Sequence, residues 1–144
     1  MSESETVSLD FELKSPIERV WHALTDAAAL SAWTMFETDD FRAVVGHRFR
    51  FRGKADSGWT GVVDCEVLTV DAPRELAYTW AAQVGGTPLA QTTVRWTLTS
   101  AAGGVTRLHL DQSGFDRAAR QEIGGATYAW RHMVGQLQSL LTNG

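Results

Sequence analysis

The residue types of a catalytic triad occur together in one strand-like segment, at His109, Asp111 and Ser113. Nucleophilic catalysis needs such side chains to converge on one point, with the base within hydrogen-bonding reach of the nucleophile. Residues two and four positions apart on a strand project in parallel, so this spacing does not build a triad. The four histidines also lack the spacing of metal ligands, since they are His22, His47, His109 and His132. The sequence therefore predicts no catalytic cluster, no metal site and no cofactor.

The single cysteine, Cys65, is the other candidate nucleophile. Period-2 alternation places it on one strand face with Val63 and Val67. A reactive thiol needs a neighbouring base or positive charge, and this strand face carries neither. We therefore predict that Cys65 is buried and unreactive. One cysteine forms no internal disulfide, which is typical of a reducing cytosol, so a cytoplasmic protein is expected.

Aromatic side chains are the most informative group in the sequence. The chain has six Trp, and the stretch ELAYTW places Leu76, Tyr78 and Trp80 on one strand face. Pockets for small molecules are typically apolar and aromatic-lined, although such rings also fill ordinary cores.

Tyr78 and Thr127 are the best polar groups on the predicted inner surface. A Tyr78 hydroxyl that faces a cavity would orient a ligand or act as an acid. A buried tyrosine with a structural hydrogen bond is the alternative.

The segments that must position these residues begin with one strand and two helices. Residues 7–14 alternate between apolar and polar types, which predicts the first strand. Ser15 is expected to cap the next helix, and Glu18 completes the spacing of a capping box. The segment TDAAALSAW predicts a second short helix, capped by Thr25 or Asp26.

Alternation then predicts six further strands, beginning at residue 41. The segment FRAVVGHRFRF is expected to form a hairpin that turns at Gly46 and His47, because a type II′ turn favours glycine in first place. In the last two strands, matched apolar faces predict the register. The expected pairs are Trp96 with Leu110, Leu98 with Leu108, and Arg95 with Asp111 on the solvent side.

The C-terminal tail changes to a helical period. An apolar stripe recurs at steps of four and three, at Ile123, Thr127, Trp130, Val134, Leu137 and Leu141. Gly124 and Gly125 are expected to separate a short leading turn from the long helix, because glycine inside a helix costs about 1 kcal/mol. Antiparallel strands with one apolar face, followed by such a helix, predict that the helix crosses that face.

Length and composition define the class of protein. The chain has 144 residues, which argues for one domain spanning residues 1–144. A net charge of −4 opposes nucleic-acid binding, whose affinity depends on neutralising phosphates. No segment approaches the roughly 20 apolar residues of a membrane span. The first ten residues have neither the basic nor the apolar region of a signal peptide.

Five segments, spread over nearly the whole chain, carry a resemblance to a known family. They are SPIERVWHALTDAAALSAW, VVGHRFRFRG, GVVDCEVLTVDAPRELAYTW, TTVRWTLT and AWRHMVGQLQSLL. Together they resemble the SRPBCC superfamily (START-related, birch-pollen-allergen-like proteins), in the branch named for the activator of heat-shock-protein ATPase. The chain departs from the family in having Ala129 where a glycine usually precedes the helix tryptophan, and His47 where the hairpin often has a second glycine.

The resemblance implies an α+β helix-grip fold. In that fold a curved antiparallel sheet of about seven strands wraps around a long C-terminal helix, and two short helices follow the first strand. It also implies that a hydrophobic, lipid-like small molecule binds between the sheet and this helix, so that the protein is a carrier or a sensor. Two alternatives stay open: a cyclase or hydrolase that uses Tyr78 as its acid, and a chaperone-binding module.

The predicted cavity combines the inward strand residues with the helix stripe. Tyr78 and Trp80 are expected to face Trp130 and Val134 across it. The full set of predicted lining residues is Trp33, Met35, Phe49, Phe51, Cys65, Val67, Tyr78, Trp80, Val94, Trp96, Leu98, Leu108, Leu110, Thr127, Trp130, Val134 and Leu137. A homodimer is also expected, because the resemblance implies one and because Phe41 and Trp59 have no evident place in one core.

Overall fold

The computed structural model describes residues 4–54, 61–84, 87–89, 91–116 and 120–143. Along these residues the elements are β1 (Ser4–Leu13), α1 (Ile17–Thr25), α2 (Ala27–Trp33), β2 (Phe36–Glu37), β3 (Arg48–Gly53), β4 (Gly61–Asp71), β5 (Glu75–Val84), β6 (Thr87–Pro88), β7 (Thr92–Ala101), β8 (Val105–Asp116) and α3 (Arg120–Asn143). The predicted α+β class, with two short helices after the first strand and a long helix at the end, is confirmed.

The strands form one antiparallel sheet in the order β1-β8-β7-β5-β4-β3-β2, and the short β6 pairs with the end of β5. The sheet curls into a half-barrel, and α3 packs inside it, as the helix-grip fold requires. Apolar residues of the strands and of α3 form one continuous core. None of the helices in the described ranges is long and apolar enough to span a membrane.

The predicted register of β7 and β8 is confirmed. Trp96 lies opposite Leu110, and Leu98 lies opposite Leu108. Arg95 also lies opposite Asp111, but the Arg95 guanidinium pairs with Glu75 on β5 instead. Asp111 itself accepts hydrogen bonds from two other side chains, as described below. The backbone register therefore follows the apolar face, whereas the outer charges pair with whichever neighbour they reach.

The predicted cap of α1 is wrong, and that of α2 is confirmed. Pro16 occupies the N-cap position of α1, and no side chain caps this helix. Ser15 is buried one residue earlier, and its hydroxyl has no hydrogen-bond partner among the described residues. At α2, Asp26 Oδ2 accepts a hydrogen bond of 2.9 Å from the backbone N–H of Ala29. A capping-box spacing alone therefore does not aim the serine side chain at the helix end.

The predicted hairpin is also wrong, because residues 41–47 form no strand. The backbone N–H of His47 bonds to the carbonyl of Val44, which makes a turn in which Gly46 comes third with a φ of 87°. Positive φ at the third position is typical of a type II turn rather than type II′. The short β2 pairs with the end of β3 in place of the predicted arm.

The helix α3 runs without a break through Gly124 and Gly125, contrary to the predicted separation. Its buried stripe comprises Trp130, Met133, Val134, Leu137 and Leu141. Burying five apolar side chains, at about 1.5–3 kcal/mol each, exceeds the cost of two glycines at about 1 kcal/mol each. Tertiary packing therefore outweighs local helix propensity here.

One of the two residues that suggested a homodimer has a place in the core. Phe41 is buried, and its ring packs edge-to-face on Phe49 with centroids 4.8 Å apart. Trp59 lies outside the described residues. The homodimer thus stays a prediction without support from Phe41.

Candidate ligand-binding site

Most of the residues predicted to line a cavity pack against one another in the core. The Trp96 ring lies edge-on to Trp33 and to Trp130, at centroid distances of 6.1 Å and 5.3 Å. Edge contacts of this kind let large rings fill space at the density of a protein interior. The residues that lie in this packed core and do not line the pocket described below are Trp33, Phe49, Phe51, Cys65, Val67, Tyr78, Val94, Trp96, Leu98, Leu108, Leu110, Val134 and Leu137.

Two groups with reactive potential are held in this core. The Tyr78 hydroxyl accepts a hydrogen bond of 3.0 Å from Nε1 of Trp96, and burial raises the pKa of Tyr78 above its ordinary value. Burial also raises the pKa of the Cys65 thiol, and the negative charge of Asp64 adds to this effect. Both groups therefore stay protonated near neutral pH. Cys65 is buried as predicted.

A pocket of about 370 Å³ lies next to this core, between one end of the sheet and the first half of α3. Its sheet wall comprises Trp80 and Ala82 on β5, Thr92 on β7, and Gln112 and Phe115 on β8. Such a volume is within the usual range for small-molecule sites. The pocket thus occupies the predicted region between sheet and helix, although most of its wall differs from the predicted one.

The other walls come from α3 and from three residues outside it. The α3 wall comprises Glu122, Gly125, Ala126, Tyr128, Ala129, Trp130 and Met133, and the remaining side is formed by Met35, Phe36 and Leu89. Small residues on α3 leave the space that larger side chains would fill. Tyr128 is 75% exposed, so it lies where the pocket opens to solvent.

Three of the predicted lining residues do line this pocket, namely Met35, Trp80 and Trp130. Trp80 and Trp130 are in direct contact, with ring centroids 5.3 Å apart, so they lie side by side in the wall and do not face each other across the space. Thr127 does not line the pocket, and its hydroxyl donates a hydrogen bond of 2.9 Å to the carbonyl of Ile123 within α3.

A chain of hydrogen bonds runs along the inner wall of the pocket. Nε1 of Trp130 donates to Oε1 of Gln112 at 2.8 Å, and Nε2 of Gln112 donates to Oγ1 of Thr92 at 2.9 Å. The Thr92 hydroxyl in turn donates to the carbonyl of Trp80 at 3.5 Å. Gln112 and Thr92 are both buried. This chain fixes the Gln112 amide at the border of a mainly apolar pocket.

Sequence reasoning missed Gln112 and Thr92, although the necessary signal was present. Gln112 follows Leu108 and Leu110 at a period of two, and Thr92 precedes Val94 in the same way. Parity therefore places both polar side chains on the inner face. An inward glutamine in an apolar stripe is the kind of polar group that pockets use to orient a ligand.

Phe115 was missed because a β-bulge changes the parity of β8. Glu5 pairs with Phe115 and Thr6 pairs with Ser113, so that Gly114 has no partner in β1. Gly114 has a φ of 97°, a conformation that glycine adopts far more readily than other residues. The extra residue turns Phe115 to the inner face, where it reaches the pocket. A glycine inside an alternating strand was the available signal.

The cluster that resembled a triad lies on the outer face of the sheet. Nδ1 of His109 lies 2.7 Å from Asp10, and Nε2 lies 2.9 Å from Asp111. Ser8 donates to Asp111 at 2.7 Å, and Ser113 takes no part in these bonds. The hydrogen bond with Asp10, reinforced by that with Asp111, raises the pKa of His109. Since carboxylates occupy both ring nitrogens, His109 has no free nitrogen with which to act as a base.

Comparison with solved structures shows relatives of closely similar fold. Protein MLL2253 from Mesorhizobium loti is 38% identical with a TM-score of 0.83, over 96% of this chain and 98% of that one. A protein from Arthrobacter aurescens has a TM-score of 0.84 at 18% identity, over 96% of this chain and 87% of that one, and shows the fold alone.

A third similar structure is that of DynU16, which is described as a protein of the dynemicin biosynthetic locus. It is 27% identical with a TM-score of 0.78. The match covers 95% of this chain and 47% of DynU16, so this chain corresponds to about half of that protein. No curated protein matches the chain.

The sequence profile described as Activator of Hsp90 ATPase homolog 1-like protein matches residues 14–142. This range includes both short helices, the sheet from β2 to β8, and nearly all of α3. The match and the curled sheet around α3 agree with the resemblance seen in the sequence. The chain therefore belongs to the Activator of Hsp90 ATPase homolog 1-like family, a branch of the SRPBCC superfamily.

Proposed function

We propose that this protein binds a hydrophobic small molecule in the pocket between the sheet and α3, as a carrier or a sensor. The observation that carries the proposal is the pocket itself, which has about 370 Å³ of space bordered mainly by apolar side chains. This space corresponds to that of roughly a dozen water molecules in the liquid. Removing a hydrophobic molecule from water into such a space is favourable in proportion to the apolar area buried.

The way in which the pocket is built also supports binding. Most of its walls belong to β5, β7, β8 and α3, regular elements that position their side chains before any ligand arrives. DynU16, to which this chain is similar, is described as a protein of the dynemicin biosynthetic locus, and this setting supports a small-molecule ligand here.

The glycines of α3 provide a matched pair of variants. Gly125 lines the pocket, and its neighbour Gly124 does not. A Cβ atom added at either position has no atom within 4 Å apart from the neighbouring residues and backbone of its own helix. Leucine is a good helix former at both sites, so both Gly→Leu changes are tolerated by the helix. Only Gly125→Leu places a large side chain in the pocket.

The experiment measures the fluorescence of the neutral hydrophobic probe N-phenyl-1-naphthylamine. We expect the unchanged protein and Gly124→Leu to bind the probe with similar affinity. Gly125→Leu should bind it at least about tenfold more weakly, since filling the pocket removes the apolar area available to the probe. Failure of the unchanged protein to bind, or equal binding by the two variants, would contradict the proposal.

A further inference from the structure

We propose that the natural ligand is an uncharged, flat ring compound with one hydroxyl or carbonyl group that bonds to the Gln112 amide. This inference rests on the proposed function, because it names the class of molecule that the pocket selects. It follows from the orientation of Gln112, from the charge of the pocket wall and from the arrangement of its rings.

The orientation of the Gln112 amide is determined by its neighbours. The indole N–H of Trp130 can only donate, so the group that faces it at 2.8 Å must be the Gln112 oxygen. The amide nitrogen then faces Thr92, which accepts its hydrogen at 2.9 Å. An amide has two donor hydrogens and two acceptor lone pairs. The bonds to the described residues use one of each, which leaves one N–H and one lone pair for a ligand.

The charge of the wall selects against anionic ligands. Among the lining residues in the described parts of the chain, the only charged side chain is Glu122, in the first turn of α3. A ligand carboxylate in this pocket would lose its hydration without meeting a cation, which is strongly unfavourable. A ligand cation would be attracted by Glu122 and by the aromatic faces, but an ammonium group has no acceptor for the free N–H of Gln112. A neutral hydroxyl or carbonyl matches the amide without this desolvation cost.

The arrangement of the aromatic rings in the pocket wall favours a ligand of a particular shape. Trp80 lies 5.3 Å from Trp130 at an interplanar angle of 59°, and 5.6 Å from Phe36 at 72°. Inclined aromatic faces of this kind pack well against the face or edge of another ring. A rigid ring also loses less conformational freedom on binding than a flexible chain does. The wall therefore favours a ring system over a fatty-acid-like chain.

The experiment compares four compounds with one naphthalene body, each as a competitor of N-phenyl-1-naphthylamine. They are naphthalene, 2-naphthol, 2-naphthoate and 2-naphthylmethylamine, measured at neutral pH. We expect 2-naphthol to bind about fivefold more tightly than naphthalene, which corresponds to one neutral hydrogen bond. The carboxylate should bind more weakly than naphthalene, and the ammonium compound more weakly than 2-naphthol. In Gln112→Leu the advantage of 2-naphthol over naphthalene should disappear, whereas naphthalene should still bind.

The possible failures are distinguishable. If the unchanged protein does not bind the probe, the proposed function itself is wrong. If the probe binds but none of the four compounds displaces it, or if naphthalene equals 2-naphthol or an ionic compound binds most tightly, binding stands and the inferred ligand class is wrong. Gln112→Leu leaves the buried indole N–H of Trp130 without its acceptor. If this variant does not fold, the order of affinities in the unchanged protein decides alone.

Discussion

Two buried polar side chains in this protein have opposite environments. Gln112 is 2% exposed and has both a donor and an acceptor bond. Ser15 is also 2% exposed, and its hydroxyl has no partner within the described residues. A buried polar group without a hydrogen bond loses its hydration with nothing in return. The contrast predicts that removing the Ser15 hydroxyl is favourable.

We expect Ser15→Ala to raise the free energy of unfolding by about 1 kcal/mol, because it removes an unpaired buried hydroxyl. The backbone carbonyl of Ser15 keeps its hydrogen bond of 2.7 Å from the Thr106 hydroxyl. Urea unfolding measures the change. As the control, Thr106→Val should lower stability by about 1–3 kcal/mol, since it leaves that carbonyl unpaired. A loss of stability in Ser15→Ala would contradict the prediction.

His109 should make the stability of the fold depend on pH. Its pKa is raised in the folded state, first by the hydrogen bond with Asp10. Folding is therefore linked to protonation of the ring. The stabilisation is complete below the unfolded pKa of about 6.5, and it is lost as the pH rises through the folded value.

We expect nuclear magnetic resonance titration to give a pKa for His109 above about 6.5, and Asp10→Asn to lower it. Urea unfolding between pH 5 and pH 9 should show a decline in stability that is smaller in His109→Gln. An unchanged His109 pKa in Asp10→Asn would show that this carboxylate does not hold the proton.

Among the elements, β8 contributes to the pocket through its bulge at Gly114. Strand parity places Gln112 on the inner face, and the unpaired Gly114 then returns Phe115 to the same face. One strand thus supplies two pocket residues that are three positions apart. Gly103, in the turn before β8, has a similar positive φ of 80° but does not line the pocket.

We expect Gly114→Ala and Gly103→Ala each to lower stability by about 1–2 kcal/mol, because alanine is strained at positive φ. A Cβ at Gly114 would meet its nearest atom at 3.6 Å, so the cost comes from the backbone and not from a clash. Only Gly114→Ala should also weaken binding of N-phenyl-1-naphthylamine, because it disturbs the bulge that directs Phe115. Equal probe affinities in the two variants would contradict the inference that the bulge positions Phe115 for binding.

At the scale of the whole molecule, the sequence predicted the fold better than the site. Periodicity gave the faces of the strands and of α3, and the apolar match of Trp96 with Leu110 determined the register of β7 and β8. The alternation of residues along a strand indicates which side chains point inward. It does not indicate whether those side chains pack in contact or leave a pocket between them. Tyr78 and Trp80 share the inner face of β5, yet the Tyr78 ring packs against Phe49 and Phe51 in the core, whereas Trp80 lines the pocket.

The local errors have a common physical origin. A capping box at Ser15, a type II′ turn at Gly46 and a break at Gly124 are all predictions from local preference. In each place the packed structure adopts a different conformation from the locally preferred one. The departures at Gly114 and Gln112 were visible as a glycine and a polar residue within an alternating strand.

The pairing of β1 with β8 has a consequence for how the chain is made. Ser4 pairs with Asp116 and Leu13 with Thr106, so β1 leaves the ribosome roughly a hundred residues before its partner. At about 5–20 residues per second, the nascent strand waits roughly 5–20 s with its apolar face, which carries Val7 and Leu9, uncovered. The acidic residues Asp10 and Glu12 alternate with that face. Charges so placed oppose pairing of one nascent β1 with another, and thereby protect the chain until β8 is synthesised.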